Sequence, residues 1–146
     1  MDSLASMKHV VIVGGGFAGV SCAHDLARSD KVCVTLVDRL NYHQFKPLFY
    51  QLAVSALTPG DVSFSLRKIF RKSPNVDIKL AEVNDINPKS CSVSTKEGQT
   101  YQGDFLALAA GAQANFFNTP GGGGKQLSVV FPERCGASAL ANPRIV

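Results

Sequence analysis

The sequence predicts an α/β fold built on a parallel sheet, and three observations support this. His9–Val13 and Val32–Val37 are short apolar runs rich in β-branched residues, which is typical of buried strands. Between them, Ala18–Ser29 carries apolar residues at helical spacing. Asp104–Ala109 is apolar almost throughout, which predicts a further strand covered on both faces. A strand, a helix and a second strand within about 30 residues form a parallel βαβ unit.

A glycine pattern, G-x-G-x-x-G, joins the first predicted strand to the helix at Gly14–Gly19. Gly14 lets the chain leave the strand sharply, Gly16 leaves room for a pyrophosphate beside the backbone, and Gly19 lets the helix pack close to the strand. The amino-terminal end of the helix then favours phosphate. Asp38 follows Gly19 by 19 residues and closes the second strand, where a carboxylate can bind an adenosine ribose. Together these features predict a Rossmann-like dinucleotide-binding unit.

The identity of the dinucleotide stays open at this point. The glycine pattern is shared by FAD-binding and NAD-binding units. The acid at Asp38 argues against a 2′-phosphate, although the neighbouring Arg39 keeps NADP possible. The ends of three strands, at Gly14, Asp38 and Ala110-Gly111, are expected to converge on one crevice, since ligands bind at the carboxyl ends of parallel strands.

The middle of the chain supplies the remaining elements. Arg39–Ala53 is rich in aromatic residues and should pack into the core or line a flat apolar ligand. A helix is predicted from Asp61 or Ser63 to about Lys72, with a basic outer face that either contacts anionic lipid or, as we prefer, faces solvent. Further on, the pattern predicts a strand and then a hairpin, at Val76–Val83 and at Cys91–Thr95 with Gln99–Gln102.

Composition narrows the class of protein. A chain of 146 residues has room for one domain with a core, and its basic residues are too scattered at a net charge of +4 to suggest nucleic-acid binding. The four cysteines show no metal-binding spacing, so we interpret them as small buried residues in a reducing compartment. Residues 1–7 are expected to be a disordered lead-in without a signal peptide, and no apolar run could span a bilayer. These features predict an intracellular protein.

The segment after the second strand carries a more specific signal. Val37–Ala53 reads VDRLNYHQFKPLFYQLA, and Thr58–Asp61 follows as TPGD. From about Lys8 to Gly121 the chain resembles the amino-terminal part of the two-dinucleotide-binding-domain flavoproteins. Within them it is similar to the type II NADH dehydrogenases, the NADH:quinone oxidoreductases that do not pump protons. The resemblance implies FAD at the glycine turn, NADH and quinone as substrates, and a peripheral position on the bacterial cytoplasmic or mitochondrial inner membrane.

The resemblance also implies which residues hold the flavin. The glycine turn would hold the pyrophosphate, Asp38 the ribose, Arg39 and His43 the adenine and pyrophosphate side, and Pro47 with Leu48 the isoalloxazine. Val83 would contact adenine through its backbone, and Ala109–Gly111 matches the family's A-T-G with alanine in place of threonine. The implied cofactor-binding residues are Gly14, Gly15, Gly16, Phe17, Ala18, Gly19, Asp38, Arg39, His43, Pro47, Leu48, Val83, Ala110 and Gly111. No residue is a convincing general acid or base, and no metal site is expected.

The family also implies features that these 146 residues do not contain. A second G-x-G-x-x-G unit for NADH and a carboxy-terminal amphipathic membrane segment are missing. We therefore interpret residues 8–120 as an incomplete FAD/NAD(P)-binding domain with little or no turnover, and expect a soluble fragment. The alternatives are a non-catalytic nucleotide-binding remnant and an NAD-binding domain.

The carboxy-terminal tail, Gly121–Val146, shows no clear period and no match to the family, and we expect it to be poorly ordered. Its codons, written in degenerate form and translated one nucleotide later, permit a segment of the kind that the family has there. We therefore hypothesise a shift of the coding frame near Gly121. An uninterrupted shifted frame in the nucleotide sequence would support this hypothesis, whereas an ordinary divergent tail is the alternative.

Overall fold

The computed structural model describes residues 7–112, which form two compact units. The first unit comprises residues 7–44 and 64–111, and the second comprises residues 45–63 with residue 112. The strands are β1 Lys8–Val13, β2 Val32–Asp38, β3 Tyr42–Gln44, β4 Ser63–Ser65, β5 Val76–Leu80, β6 Val83–Asn87, β7 Ser92–Thr95, β8 Thr100–Gln102 and β9 Phe105–Leu108. The helices are α1 Phe17–Leu26, α2 Phe49–Ala53 and α3 Leu66–Ile69, with 3₁₀ turns at Lys46–Leu48 and Pro59–Asp61.

The first unit is organised around a four-stranded sheet in the order β5-β2-β1-β9. All three pairings are parallel, and β1 aligns with β2 from Lys8 opposite Val32 to Val13 opposite Val37. The helix α1 connects β1 to β2 as a crossover, the connection that parallel neighbours require. The predicted α/β fold with a parallel sheet is therefore confirmed.

Both faces of β1 are buried, which explains why its sequence is continuously apolar rather than alternating. Val10 and Ile12 pack with α1 and with Leu66 in one core cluster. Val11 and Val13 point to the opposite face and join a second cluster. Alternate residues of a strand point to opposite faces, so this one strand serves both halves of the core.

The predicted hairpin is present and forms part of a meander. β7 pairs antiparallel with β8, and β6 pairs antiparallel with β7. The predicted strand Val76–Val83 is divided, because β5 ends at Leu80 and β6 begins at Val83. The backbone N–H of Ala81 donates to the carbonyl of Asp38 at 2.9 Å, so the chain stays at the sheet for one residue beyond β5.

The prediction of a helix from Asp61 or Ser63 to Lys72 is wrong. The Asp61 carboxylate instead accepts hydrogen bonds from Thr58 N and Oγ1 at 2.8 and 2.7 Å, which closes the 3₁₀ turn at Pro59–Asp61. Ser63–Ser65 is the strand β4, which pairs with β3. The helix that remains is the four-residue α3, which is too short for the basic face on which lipid contact depended.

Two statements about burial are also corrected. Phe105 and Leu108 of β9 are 57% and 59% exposed, so this strand is not covered on both faces; it is an edge strand among the described residues. Cys22, Cys33 and Cys91 are free thiols of intermediate exposure rather than buried residues.

Some sequence predictions lie outside the described residues. Residues 1–6 of the lead-in, Cys135 and the tail at 121–146 belong to this group. Within residues 7–112, the structure contains no helix that is long and apolar enough to cross a membrane.

Candidate functional site: a glycine turn at the carboxyl ends of β1 and β2

The three glycines of the pattern have different surroundings in the turn after β1, and the fold itself requires two of them. Gly14 has a φ of +106°, and a Cβ there would lie 2.3 Å from the carbonyl oxygen of Ala109. A Cβ on Gly19 would lie 1.8 Å from the carbonyl oxygen of Gly14, so the helix can approach the strand only without a side chain at this position. Among residues 7–112, no atom lies within 4 Å of the position of a Cβ on Gly16. The turn is thus tight on its protein side and open beside Gly16.

The amino-terminal end of α1 opens at the same place. Gly16 is the N-cap and offers no side-chain capping hydrogen bond, and the first turn of α1 contains no acidic residue. Gly16, Phe17 and Ala18 are exposed. The backbone amides at the start of a helix favour negative charge, so this end of α1 is suited to an anion.

Asp38 lies against the glycine turn. Its Oδ2 accepts a hydrogen bond from Gly15 N at 2.5 Å, and its Oδ1 accepts one from Leu40 N at 2.6 Å. A carboxylate offers about four acceptor positions, so two backbone bonds leave capacity for the hydroxyls of a ribose. The carboxylate therefore fixes the turn and can still accept hydrogen bonds from a ligand.

His43 reaches the same turn from β3. Its side chain is buried, and its Nδ1 lies 3.0 Å from the carbonyl oxygen of Gly15. A carbonyl oxygen can only accept, so Nδ1 must carry the proton of this hydrogen bond. The imidazole ring also meets the ring of Phe17 edge to face, with centroids 5.0 Å apart and an interplanar angle of 89°. His43 thus contacts both the turn and the first residue of α1.

The three predicted strand ends come together, whereas the crevice between them stays a prediction. Gly15 bonds to Asp38 at the end of β2, and the position of a Cβ on Gly14 lies 3.2 Å from the Cα of Ala110, beyond the end of β9. Gly111 follows with a φ of +74°. The ends of β1, β2 and β9 therefore meet at one edge of the sheet.

The other predicted site residues belong to other elements of the chain. Arg39 is exposed beside Asp38, and Val83 is partly buried at the start of β6. Pro47 and Leu48 form part of a 3₁₀ turn in the second unit. Their contacts with a flavin stay predictions.

One residue at the turn was missed by the sequence analysis. Leu66 is fully buried, and its Cδ1 lies 2.7 Å from the position of a Cβ on Gly15. The side chain of Leu66 therefore fills the inner side of the turn, and a side chain on Gly15 would require Leu66 to move. No motif marks this leucine, because the contact joins residues that are distant in the sequence.

Comparisons with known proteins identify the family. The profile of the family described as pyridine nucleotide-disulphide oxidoreductase matches residues 8–143. The match runs past Gly121, where the sequence analysis placed the end of the resemblance. A type II NADH:quinone oxidoreductase of Mycobacterium tuberculosis, NdhA, is 40% identical over 119 residues, which cover 80% of this chain and 25% of that protein.

Two solved structures extend the comparison. The sulfide:quinone oxidoreductase of Aquifex aeolicus has a TM-score of 0.70 and 30% identity, over 75% of this chain and 25% of that one. NDH2 from Plasmodium falciparum in complex with NADH has a TM-score of 0.67 and 25% identity, over 78% and 24% of the two chains. The chain thus spans about a quarter of the length of the proteins it matches. With a profile match across most of its length, the chain belongs to the pyridine nucleotide-disulphide oxidoreductase family.

Proposed function

We propose that the first unit is the FAD-binding part of an NADH:quinone oxidoreductase. One observation carries the proposal: an open, uncapped helix end lies beside a glycine turn whose amide bonds the carboxylate that closes β2. The 40% identity to a type II NADH:quinone oxidoreductase supports the choice of FAD and of NADH and quinone as substrates. We assign this activity to a protein of the relative's full length, since this chain covers about a quarter of that relative.

The residues at the turn fit the adenosine diphosphate half of FAD. The space beside Gly16 admits a pyrophosphate, and the adjacent end of α1 supplies amides and a favourable dipole. Asp38 is placed to accept hydrogen bonds from the ribose. We assign Arg39, Val83 and Ala110-Gly111 to the edges of the same ligand.

The chemistry itself would come from the bound cofactor. FAD supplies a carrier that accepts a hydride from NADH and passes two electrons to a quinone. The described residues contribute binding and orientation: the turn holds the phosphates, and the carboxylate of Asp38 fixes the sugar. The absent threonine at Ala110 removes one hydroxyl that the family places beside the flavin, and we expect a local adjustment of the ligand.

Titration of the purified 146-residue chain with FAD tests the proposal. We expect saturable quenching of flavin fluorescence, and little oxidation of NADH by a short-chain quinone, because the sequence contains a single G-x-G-x-x-G unit. A chain that binds NADH but no FAD would support the NAD-binding alternative. A chain that binds neither nucleotide would overturn the proposed FAD site, and FAD binding without any oxidation of NADH is also the result expected of a non-catalytic remnant.

A further inference from the structure

We propose that His43 is a positioning residue for the phosphate-binding turn, an inference that rests on the proposed FAD site. Its Nδ1–H holds the carbonyl of Gly15 on the protein side of the turn, at 3.0 Å. In a trans peptide the C=O of one residue and the N–H of the next point in opposite directions. No cis peptide occurs among the described residues, so this hydrogen bond directs the N–H of Gly16 away from His43.

The direction of that N–H matters because of what surrounds Gly16. A Cβ built there meets no atom of the described part of the chain within 4 Å, so these residues leave the space beside Gly16 open. The neighbouring Gly15 is buried, and both of its polar backbone groups bond to the protein, the N–H to Asp38 and the C=O to His43. The Gly15–Gly16 peptide is therefore held by its carbonyl while its N–H is left to serve a phosphate oxygen.

His43 is itself held firmly enough to act in this way. It lies in the middle of β3, which pairs with β4, and the residue before β3, Asn41, accepts a hydrogen bond from Leu66 N at 3.1 Å. Leu66 in turn fills the inner side of the turn. The edge-to-face contact with Phe17 adds a second point of attachment, at the first residue of α1.

Three substitutions separate this role from a merely structural one. His43→Asn can place an amide N–H where Nδ1 lies, His43→Gln moves the donor farther from the backbone, and His43→Leu removes it. We expect the dissociation constant for FAD to rise about fivefold to tenfold in His43→Leu, as for the loss of one hydrogen bond. We expect His43→Asn to stay within about threefold of the parent chain, with His43→Gln closer to the leucine variant.

A second measurement does not depend on the flavin. The carbonyl ¹³C resonance of Gly15 and the amide resonance of Gly16, recorded without ligand, should shift in His43→Leu and return towards the parent values in His43→Asn. If all chains fail to bind FAD while these shifts follow this order, the proposed function fails and the orientation of the turn by His43 stands.

The opposite results overturn the inference. Equal FAD affinity in His43→Leu and the parent chain would show that the turn needs no histidine. Unchanged Gly15 and Gly16 resonances in His43→Leu would show that the hydrogen bond does not set the peptide orientation. If His43→Leu does not fold, the comparison of His43→Asn with His43→Gln decides, since both keep a polar amide and differ in the position of the donor; equal behaviour of these two would also contradict the inference.

Discussion

At the scale of single residues, the glycine turn shows how absent side chains build a site. Gly14 and Gly19 are required by the protein itself, since a Cβ on either would collide with backbone oxygen. Gly16 is required by neither strain nor packing, because its φ is −76° and its surroundings are open. Gly16 thus lies between two glycines that the fold requires but is not itself required by the fold. Glycine at such a position is expected where a ligand binds directly against the backbone.

Gly19→Ala should destabilise the chain. The added Cβ would lie 1.8 Å from the carbonyl oxygen of Gly14, so α1 must move away from β1. We expect the free energy of unfolding to fall by about 3 kcal/mol, at the upper end of what overpacking costs. Urea denaturation followed by circular dichroism measures this change, and a loss within error of zero would contradict the close packing of α1 on β1.

Gly16→Ala is the matched control and a prediction of its own. The methyl group enters open space, so the free energy of unfolding should fall by no more than about 1 kcal/mol, the cost of a poorer N-cap. The same methyl group occupies the proposed position of the pyrophosphate, so FAD affinity should fall clearly. Unchanged FAD binding in a folded Gly16→Ala chain would place the phosphates elsewhere.

Asp38→Ala should weaken both the fold and the site. It removes the acceptor of the buried Gly15 N–H and of Leu40 N–H, and an unsatisfied buried donor costs about 1–3 kcal/mol. We expect that loss in urea denaturation, together with a loss of FAD binding. An Asp38→Ala chain that keeps its stability would mean that water replaces the carboxylate at the turn without penalty.

At the scale of elements, β1, α1 and β2 were predictable because their signals are local. β-branched runs, a glycine turn and a closing acid lie within Lys8–Asp38, and the structure follows them within a few residues. The region 61–72 was not predictable in the same way. Thr58 and Asp61 close a short turn by a side-chain hydrogen bond, and Ser63–Ser65 pairs with β3, so non-local pairing overrides the helical pattern.

The same distinction between local and non-local signals decides which parts of the candidate site could be predicted. The three glycines and Asp38 were found from their spacing, which is local in the sequence; the structure shows why Gly14 and Gly19 must be glycine and that Asp38 lies against the turn. The Gly15 contacts of Leu66 and His43 could not be derived, since they bring together residues far apart in the sequence. The resemblance implied that His43 lies near the pyrophosphate. The structure shows that its Nδ1 bonds to the carbonyl oxygen of Gly15.

The junction of β1 with β9 should make stability depend on pH. The Asp104 carboxylate accepts hydrogen bonds from His9 N at 2.8 Å and from Lys8 Nζ at 3.2 Å. The His9 bond, followed by the Lys8 bond, lowers the pKa of Asp104 below its ordinary 3.8. A lowered carboxyl pKa contributes stability above the pKa of the unfolded chain, and this stability is lost as the pH falls through the folded pKa.

Asp104→Asn tests this dependence. The variant should be less stable than the parent chain near neutral pH, and the difference should shrink as the pH falls through and below about 4. Urea denaturation across that range measures the difference, with Asp30→Asn as a control on an exposed carboxylate. A difference that stays constant with pH would mean that the charge of Asp104 does not stabilise the junction of β1 and β9.

At the scale of the whole molecule, the buried core and the proposed binding site lie in the same part of the chain. The most deeply buried side chains of the first unit include Val11, Ile12 and Leu36, in the two central strands that lead to the glycine turn and to Asp38. The strands that organise the core thus also position the backbone amides of the glycine turn and the carboxylate of Asp38. The proposed nucleotide site therefore lies within the quarter of its relatives' length that this chain matches.

Hydrogen exchange of the described residues provides the corresponding prediction. Amides of β1 and β2 should exchange most slowly, because each strand is paired on both sides and buried. Amides of β6 should exchange at least about tenfold faster, since Asn84 to Asn87 is exposed throughout. Addition of FAD should then slow exchange at residues 15–19 more than in β6, because the proposed ligand covers the turn. Equal slowing in both places would indicate general stabilisation rather than binding at the glycine turn.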